Sequence, residues 1–325
     1  MLVGVTGGTG FIGRRLVHRL FDEGYSIRIL MRSPEQAKCL PSGVSVVIGD
    51  LSDPQAPLEE FIDGLQVLFH CAGETKDEEL MRAMHVDGTK RLVAAASNRI
   101  QHWVQLSSIG AYGSPLEGAV TEQTLENPTN IYEKTKTASD HIVIEGAAKG
   151  GFSYSVLRPS KVLGPDMPDR SLFQMLKYIN RGLFFFIGPV GASLNYIHVD
   201  NVIEALFICG TKQEAHGEVF NLNDYRTIEV FSSEMAFRLG KPVPKIRLPE
   251  KPTRWLAKVC RAIPGFPLTE GRINGLSCRA IVSADKIKEI LGYAHKVSIE
   301  QGISELVGVY KAGVNPACLV NKETL

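Results

Sequence analysis

Residues 2–13 read LVGVTGGTGFIG and set the architecture of this chain. The first five of them, Leu2–Thr6, are an apolar run of the kind that forms a buried strand. From residue 13 to residue 23, apolar side chains recur at helical spacing, with arginines off that face. A strand that passes through a glycine-rich turn into a helix predicts the first unit of a βαβ fold.

Three glycines in this turn form a dinucleotide-binding fingerprint. Gly7 permits the tight turn, Gly10 lets the backbone approach a pyrophosphate, and Gly13 lets the helix pack closely on the strand. Phe11 and Ile12 complete the turn at the helix N-terminus, where N–H groups and a partial positive charge attract phosphate. A glycine-rich turn without a ligand is the alternative, and the βαβ context favours the dinucleotide site over it.

Strands and helices alternate regularly along the first half of the chain. Continuous apolar runs predict strands buried on both faces, at residues 2–6, 27–31, 44–49, 67–71, 103–107 and 153–157. Long helices are predicted over residues 78–97 and 132–148, and one more strand over residues 219–222. The alternation predicts an α/β fold, a Rossmann-type doubly wound parallel sheet with a smaller, mostly helical C-terminal substrate domain.

The regular alternation stops near residue 160, which suggests where the domains divide. We expect residues 1–164 to bind the dinucleotide, with residues 196–223 returning to the same domain. Residues 165–195 and 224–325 are then the substrate-binding domain, and the ligand cleft lies between the two. The aromatic run at 183–187, LFFFI, either walls an apolar substrate pocket or belongs to the domain core.

Composition and charge exclude several classes of protein. The 325 residues are 44% hydrophobic and 22% charged, as in ordinary globular domains, and the formal net charge is only +1. This balance argues against a nucleic-acid or membrane-surface partner, and no run of about 18 apolar residues predicts a membrane span. No C-x-x-C pair occurs, so we expect free thiols in a reducing, cytoplasmic location and no metal site. The six cysteines are Cys39, Cys71, Cys209, Cys260, Cys278 and Cys318.

The end of the second strand indicates which nicotinamide cofactor is bound. An acidic side chain there would hydrogen-bond the adenosine ribose, but the position falls near Met31. Arg32 follows, and Arg28 lies on the same strand; a guanidinium suits the 2′-phosphate of NADP, which a carboxylate would repel. The sequence therefore favours NADP(H) over NAD(H), unless Arg32 is only a solvated turn residue.

Two residues after the third strand are further candidates for the adenosine site. The carboxylate of Asp50 is placed where it could accept a hydrogen bond from the adenine amino group, and Leu51 follows it. The alternative is that Asp50, or Asp53, caps the next helix. The sequence does not choose between these two interpretations.

A tyrosine and a lysine four residues apart are the main candidates for catalysis. Tyr132 and Lys136 share one face of the predicted helix, and a nearby ammonium would lower the pKa of the phenol. Tyr132 would then be a usable acid or base near neutral pH. Ser108 lies at the carboxyl end of the fifth strand, where a parallel sheet opens onto its ligand crevice, and could hydrogen-bond a substrate oxygen. The alternative is a Tyr–Lys pair on the surface.

The T-G-x-x-G-x-x-G turn, the later serine and Y-x-x-x-K together resemble the extended short-chain dehydrogenase/reductase family, over about the whole chain. The resemblance implies that Ser108, Tyr132 and Lys136 are the catalytic triad. Further stretches that match the family pattern are FHCAG (69–73), VDGT (86–89), LRP (157–159), VLGP (162–165), YIHVDNV (196–202), ADK (284–286) and LGY (291–293).

The same resemblance implies more cofactor contacts and a dimer. Pro159 and Val162 would lie near the nicotinamide, and three consecutive residues after the fourth strand would line the cofactor: Cys71, Ala72 and Gly73. Two helices, at about 78–97 and 132–149, would pair with those of a second copy in a four-helix interface. A homodimer that acts on a small-molecule substrate is therefore expected.

Departures from the family pattern narrow the reaction. Residues 109–110, IG, stand where sugar-nucleotide dehydratases carry Asp and Glu, which argues against dehydration. Residues 194–195, LN, replace the Arg-Asp pair whose arginine grips the diphosphate in sugar-nucleotide members. The pair NV at 201–202 resembles the hydroxysteroid dehydrogenase and dihydroflavonol reductase branch, and His85, where the family often has Asn, is expected to serve helix packing. Arginines that could replace the missing one are Arg170, Arg181, Arg272 and Arg279.

These observations support three functional hypotheses. The first is an NADP(H)-dependent oxidoreductase that interconverts a secondary alcohol and a ketone on a small, partly apolar substrate. A sugar-nucleotide epimerase, which uses the same triad with NAD, is the alternative. A non-catalytic dinucleotide sensor ranks last, because such relatives usually lose the tyrosine or the lysine, and both are present here.

Overall fold

A seven-stranded parallel sheet is the centre of the computed structural model, which describes residues 1–259 and 269–313. The strands of these residues are, in chain order, β1 (Leu2–Thr6), β2 (Ser26–Met31), β3 (Ser45–Ile48), β4 (Val67–His70), β5 (His102–Leu106), β6 (Glu117–Val120), β7 (Ser153–Pro159), β8 (Lys161–Leu163), β9 (Phe186–Ile187), β10 (Ser193–Leu194), β11 (Tyr196–His198), β12 (Glu218–Leu222), β13 (Arg226–Thr227), β14 (Arg247–Leu248) and β15 (Arg279–Val282). The order in the sheet is β12-β7-β5-β4-β1-β2-β3, and every neighbouring pair is parallel. The predicted doubly wound parallel sheet is confirmed.

Helices connect the strands and cover both faces of the sheet. In the described residues they are α1 (Gly13–Asp22), α2 (Leu58–Ile62), α3 (Glu78–Arg82), α4 (Thr89–Ala96), α5 (Ile131–Gly150), α6 (Ser171–Asn180), α7 (Val199–Thr211), α8 (Ile228–Leu239), α9 (Glu250–Val259), α10 (Glu270–Ser277), α11 (Asp285–Leu291) and α12 (Ile299–Lys311). α1 and α7 bury Leu16 and Leu206 against one face, and α4 and α5 bury Leu92 and Val143 against the other. Burial on both sides explains why the strands are continuous apolar runs.

The strand order reverses at β1. β2 and β3 lie on one side of β1, whereas β4, β5, β7 and β12 lie on the other. In an open parallel sheet, such a switch point opens a crevice at the carboxyl ends of the strands. Gly7 follows β1 and Cys71 follows β4, so the crevice lies between two segments that the sequence assigned to the cofactor.

The predicted helix over residues 78–97 is continuous, but its middle is a turn of π-helix. α3 passes through the π turn Ala83–Gly88 into α4. Gly88 is required there, because an added Cβ would lie 2.5 Å from the main-chain oxygen of Leu51. The π turn buries His85, of which only 1% is exposed, and directs its ring to α5, where it contacts Thr135.

The remaining elements form a second core beside the sheet. α6, α8 and α12 pack together through a buried cluster that includes Leu172, Phe231 and Ile303. β8 pairs with β11, β9 with β14 and β10 with β13. β6 pairs with β15 and joins residues 117–120 to residues 279–282, a link that the sequence did not predict. The boundaries of the two expected domains stay a prediction.

Candidate active site

A cavity of about 150 Å³, here called the crevice cavity, lies at the switch point of the sheet. It is bounded by the segments that follow β1, β2, β3 and β4. The structure therefore brings together residues from four separate parts of the sequence. The predicted cofactor contacts that line it are Gly7, Gly10, Arg32, Asp50, Leu51, Cys71, Ala72 and Gly73.

The glycine-rich turn fits the pyrophosphate of a dinucleotide. Gly7 has a φ of +67°, and a Cβ there would lie 2.7 Å from the main chain of Ala72. A Cβ on Gly13 would overlap the main-chain oxygen of Gly7, so α1 can begin directly against the turn only without a side chain at that position. In the first turn of α1, the N–H groups of Arg14 and Leu16 donate to the main-chain oxygens of Gly10 and Ile12, both at 3.1 Å. The positive end of the helix dipole suits a phosphate at this turn.

Among the predicted cofactor contacts outside the lining of the crevice cavity are Phe11, Ile12, Pro159 and Val162. The ring of Phe11 approaches Gly164, where a Cβ would lie 3.0 Å from it, and Ile12 packs against the core. Any contact that these two make with a phosphate would use their main-chain N–H groups. Pro159 ends β7, and Val162 in β8 packs against the same core as Ile12.

The end of β2 has the predicted composition, and a carboxylate faces it. Met31 and Arg32 both line the crevice cavity, and Arg32 is exposed. Glu74 lines it as well. Main-chain hydrogen bonds, first that of Lys76, lower the pKa of Glu74, and the nearby Arg32 lowers it further. Sequence reasoning missed Glu74, although it directly follows the predicted cofactor segment 71–73.

The expected contribution of Arg28 to the cofactor site is wrong. Its Nη1 donates hydrogen bonds to the main-chain oxygens of Glu60 at 3.1 Å, Phe61 at 3.2 Å and Asp63 at 2.5 Å. These carbonyls form the carboxyl end of α2, where the helix dipole attracts a cation. Of the two arginines, Arg32 lines the crevice cavity and Arg28 does not.

Helix capping by Asp50 or Asp53 is also wrong. Asp50 accepts hydrogen bonds from the main-chain N–H and the hydroxyl of Ser52, both at 2.8 Å. Asp53 accepts one from the main chain of Gln55 at 2.9 Å, whereas α2 begins only at Leu58. The two aspartates stabilise the turns after β3, and this places Asp50 at the wall of the crevice cavity.

The three predicted catalytic residues meet at the carboxyl end of β5. Ser108 lies two residues beyond β5 and is hydrogen-bonded to the phenol of Tyr132. Lys136, one turn further along α5, donates from Nζ to the main-chain oxygen of Leu106 at 2.6 Å. Lys136 also lies close enough to Cys71 to affect its pKa, which connects the cluster with the wall of the crevice cavity.

The start of α5 is fixed by a capping box. The Oδ1 atom of Asn130 accepts a hydrogen bond from the N–H of Glu133 at 2.9 Å, and Oε2 of Glu133 accepts from the N–H of Asn130 at 3.3 Å. The side chain of Glu133 also packs over Gly110, where a Cβ would lie 2.9 Å from it. Tyr132 is therefore held in the first helical turn, against the turn that carries Ser108.

The predicted depression of the phenol pKa is wrong for this structure. Burial raises the pKa of Tyr132, and the hydrogen bond with Ser108 opposes this only in part. Lys136 does not lower it, because its ammonium is bonded to Leu106 instead. Burial in turn lowers the pKa of Lys136, while Asp140 raises it. Tyr132 is thus a phenol that keeps its proton at neutral pH.

His85 connects the crevice cavity with α5. Its Nε2 accepts a hydrogen bond from the main-chain N–H of Glu74 at 2.9 Å, so Nδ1 carries the proton and donates it to Oγ1 of Thr135, also at 2.9 Å. Its ring packs edge-on against Tyr132, with 5.9 Å between the ring centroids. Burial lowers the pKa of His85 to about 3, so the ring is neutral. Besides packing, His85 holds the segment that forms one wall of the crevice cavity.

A buried carboxylate lies beneath the predicted triad. Asp140, two turns after Tyr132, accepts hydrogen bonds at Oδ2 from the hydroxyl of Ser107 at 2.6 Å and from Nε of Arg158 at 3.2 Å. Arg158 also donates to Glu126 at 2.5 Å. Burial raises the pKa of Asp140, and Arg158 is the first of the groups that oppose this. Sequence reasoning missed the pair, although a charged side chain within the apolar run of β7 was a signal.

A larger cavity of about 400 Å³, here called the apolar cavity, lies beside the second core. The run at 183–187 is divided between a cavity and the core: residues 183–185 line this cavity, whereas Phe186 and Ile187 are buried in the core. That the cavity holds the substrate stays a prediction. Leu194, at the position of the missing diphosphate arginine, lines it too. Of the four candidate replacements, Arg272 lines it, and Arg279 donates to the main-chain oxygens of Ser277 and Pro189.

The expectations on metal sites, thiols and membrane spans can be compared with the structure for the described residues only. Within residues 1–259 and 269–313, no group of three or more His, Cys, Asp or Glu side chains could hold a metal ion. No helix in these ranges is both long and apolar enough to span a bilayer. Cys71, Cys209 and Cys278 are free thiols, whereas Cys260 and Cys318 lie outside the described residues. Burial raises the pKa of Cys71 to about 12, so it is no nucleophile at neutral pH.

Known proteins share both the sequence pattern and the fold. The model of the NAD dependent epimerase/dehydratase family matches residues 3–222. A 4-hydroxy-2-methyl-3-oxo-4-farnesyl-3,4-dihydroquinoline-1-oxide ketoreductase from Stigmatella aurantiaca is 30% identical, over 95% of this chain and 96% of its own. A 3 beta-hydroxysteroid dehydrogenase/Delta 5-->4-isomerase from Mycobacterium tuberculosis is 25% identical, over 94% of this chain and 89% of its own. The crystal structure of UDP-glucuronic acid 4-epimerase from Bacillus cereus with NAD has a TM-score of 0.75 at 19% identity, and covers 97% of this chain and 100% of that one.

Proposed function

Because the chain belongs to the NAD dependent epimerase/dehydratase family, and is an enzyme of the extended short-chain dehydrogenase/reductase type, we propose that it interconverts a secondary alcohol and a ketone. The proposal rests on one observation above all, the meeting of Ser108, Tyr132 and Lys136 beside the crevice cavity. The names of the ketoreductase and the hydroxysteroid dehydrogenase, both similar to this chain over nearly its whole length, support the same chemistry.

Each residue of the cluster has a distinct role in the proposed reaction. The nicotinamide cofactor supplies the hydride for reduction, or accepts it in oxidation, when it is bound. Tyr132 donates its proton to the ketone oxygen, and the hydroxyl of Ser108 donates a hydrogen bond to the same oxygen. Because Tyr132 keeps its proton at neutral pH, it can act as the acid when the ketone is reduced, and the same group accepts the proton when the alcohol is oxidised. Lys136 holds the nicotinamide ribose in this proposal, and its bond to the main-chain oxygen of Leu106 fixes the position of its ammonium group.

The proposed cofactor is NADP(H). Arg32 provides a cation for the 2′-phosphate, and Met31 stands where NAD would need a carboxylate. The glycine-rich turn, with the N–H groups of residues 11–13, would hold the pyrophosphate, and Asp50 with Leu51 would contact the adenine. Residues 71–73, Pro159 and Val162 would then lie along the rest of the cofactor.

The apolar cavity supports a partly apolar substrate. Its walls are mostly aliphatic and aromatic side chains, a composition that suits a ligand with a large hydrocarbon part. A sugar nucleotide is the weaker candidate, because the lining is mostly apolar and Leu194 stands where sugar-nucleotide members carry the arginine that grips the diphosphate. We also propose that two copies of the chain form a homodimer through the faces of α3, α4 and α5. A cytoplasmic location is proposed as well, because the free thiols favour it.

The experiment is an assay of purified protein with NADPH against two matched groups of compounds. One group contains bulky apolar ketones, such as steroid and isoprenoid ketones, and the other contains UDP-sugars. We expect loss of NADPH absorbance with ketones and no change in the sugars. Interconversion of UDP-sugar epimers without net consumption of cofactor would contradict the proposal and support the epimerase.

A further inference from the structure

Among the described residues, the charges that line the apolar cavity are all of one sign. Its polar and charged lining includes Lys161 and Arg272, both exposed, and none of the described lining residues is an aspartate or a glutamate. An apolar cavity with cations at its open side and no carboxylate among these residues favours a ligand that carries a negative charge. We propose that the substrate is an anionic amphiphile, whose hydrocarbon part fills the apolar cavity and whose carboxylate or phosphate is bound by Lys161. This inference rests on the proposed function for its chemistry, but not for its binding.

Lys161 is the residue best placed to bind the anion. It is the first residue of β8 and comes two residues after Pro159, at the end of β7, the neighbour of β5. Lys161 thus comes shortly after the carboxyl end of β7, and Ser108 follows the carboxyl end of its neighbour β5. The proposed substrate extends from this lysine towards Ser108 and Tyr132.

The ammonium of Lys161 is held in place without being neutralised. It lies 5.9 Å from the centroid of the Tyr196 ring, within reach of a cation–π interaction, and Tyr196 is its partner in the pairing of β8 with β11. Among the described residues, no carboxylate forms an ion pair with Lys161. A lysine has three N–H donors, and a ring face satisfies none of them fully. Its donors are therefore available to an anion.

The opposite wall of the apolar cavity is kept open by two glycines of α10. Gly271 and Gly275, one turn apart, both line the cavity, and a Cβ added to either would meet no atom within 4 Å. Two other helical glycines are required by packing, since a Cβ on Gly146 would clash with Val93 and one on Gly210 with Phe69. Because Gly271 and Gly275 are exposed and carry no side chain, this wall of the cavity has room for a ligand.

The volume agrees with a ligand of this kind. About 400 Å³ lies within the ordinary range of small-molecule sites, and the apolar lining supplies the affinity while one charged contact fixes the orientation. The lining residues that would contact the hydrocarbon part are Leu172, Met175, Tyr178, Phe184, Phe185 and Leu276.

The test measures binding by calorimetry, without the reaction. Dodecanoate, dodecyl phosphate and dodecanol share one hydrocarbon chain and differ in the head group. We expect the wild type to bind at least one of the two anions about 10-fold or more tightly than dodecanol, as a hydrogen bond to a charged group predicts. The anion that binds more tightly identifies the carboxylate or the phosphate as the natural head group.

Three variants make the test specific. Lys161→Met should remove the preference for the anion, and Gly275→Leu should weaken all three ligands because it fills the cavity. Lys177→Met is the matched control, since Lys177 is an exposed lysine of α6 that does not line the cavity. Equal affinity of the wild type for anions and dodecanol, or an equal loss in Lys161→Met and Lys177→Met, would overturn the inference.

The two proposals fail in different ways. If keto acids and neutral ketones are reduced equally well and dodecanoate binds no better than dodecanol, the proposed function stands and the anionic substrate is wrong. If the anions bind through Lys161 but no ketone is reduced, the binding site stands and the proposed reaction is wrong. If the enzyme reduces a keto acid, we expect the methyl ester of that acid to have a KM about 10-fold higher than the acid itself.

Discussion

The Nζ atom of Lys136 donates a hydrogen bond to the main-chain oxygen of Leu106, at 2.6 Å. Leu106 ends β5, and the next residue, Ser107, donates its hydroxyl to Asp140 on the same helix as Lys136. Two consecutive residues of the strand end are thus bonded to two successive turns of α5. The position of Ser108, one residue further, relative to Tyr132 is therefore set by α5 itself and not by the surrounding turns.

Replacement of Tyr132 by phenylalanine tests the proton donor. We expect Tyr132→Phe to reduce kcat by about 10²- to 10⁴-fold, the ordinary contribution of one acid or base group. Affinity for NADPH should change little, because Tyr132 does not line the crevice cavity and its hydroxyl interacts with Ser108. Steady-state kinetics and NADPH titration measure the two effects. A variant that keeps most of its activity would remove Tyr132 from the mechanism.

Two charge changes test the choice of cofactor. Arg32→Ala should weaken NADPH binding by about 10-fold or more and leave NADH almost unchanged, since only NADPH carries the 2′-phosphate. Glu74→Gln should strengthen NADPH binding, because it removes a negative charge from the same cavity and keeps the oxygen that accepts main-chain hydrogen bonds. Calorimetric titration of both cofactors measures these changes. Tighter binding of NADH than NADPH by the wild type would reverse the assignment.

The buried histidines predict a loss of stability in mild acid. The pKa of His85 is about 3 in the folded protein against 6.5 ordinarily, so between these values the unfolded chain binds more protons. The stability that comes from neutral His85 is present above about pH 6.5 and is lost as the pH falls towards 3. From pH 7 to pH 5, His85 alone should lower the free energy of unfolding by about 2 kcal/mol. Burial also lowers the pKa of His102, to about 4, in the same direction.

Urea denaturation at pH 7 and pH 5 measures this effect. The difference between the two values should be smaller in His85→Asn than in the wild type, even if the variant is less stable at both. His18→Asn is the control, since His18 is exposed on α1. An identical pH dependence of the free energy of unfolding in the wild type and in His85→Asn would show that protonation of His85 does not contribute to it.

Removal of the buried carboxylate should destabilise the whole chain. Asp140→Ala leaves the guanidinium of Arg158 buried, with Glu126 as its remaining carboxylate partner. Breaking a buried ion pair in this way costs about 3–5 kcal/mol. The exposed carboxylate of Glu145 on the same helix provides the control, because Glu145→Ala should change the free energy of unfolding by no more than about 0.5 kcal/mol. Equal effects of the two substitutions would mean that the Asp140–Arg158 pair is not important for stability.

The proposed dimer can be tested by light scattering at micromolar concentration. We expect twice the mass of one chain. Ala138→Arg places a large charge on the outward side of α5, between the exposed residues Lys134 and His141, and should give monomers. Val230→Arg, on the exposed side of α8, is the control and should stay dimeric. A monomeric wild type would contradict the four-helix interface.

Local patterns in the sequence were enough to predict most of the sheet. Buried strands of a parallel sheet are continuous apolar runs, so their positions follow from composition alone. Two of the predicted glycines also have local causes, because Gly7 has a φ of +67° and a Cβ on Gly13 would overlap the main-chain oxygen of Gly7. These features need no knowledge of distant partners, and their predicted positions are confirmed within a few residues.

The missed features all depend on residues that are distant in sequence. Glu74 became relevant only when β2 and β4 were placed on either side of β1. The partner of Arg158 could not be known before α5 was packed on β7. The predicted direction of the pKa shift of Tyr132 was wrong, because spacing along a helix does not show which acceptor a lysine binds. Side-chain hydrogen bonds of this kind are set by tertiary packing, which periodicity does not contain.

The pairing of β6 with β15 also affects the order in which this enzyme is completed during synthesis. The chain emerges from its N-terminus, and all seven strands of the central sheet are available once residue 222 has appeared. β6, which follows the turn of Ser108 and Tyr112, must wait for residues 279–282. Until then it presents an unpaired strand edge, which is a site for wrong association between nascent chains. A ribosome-bound chain should therefore contain a folded sheet and yet be inactive until nearly all of its C-terminal part has been made.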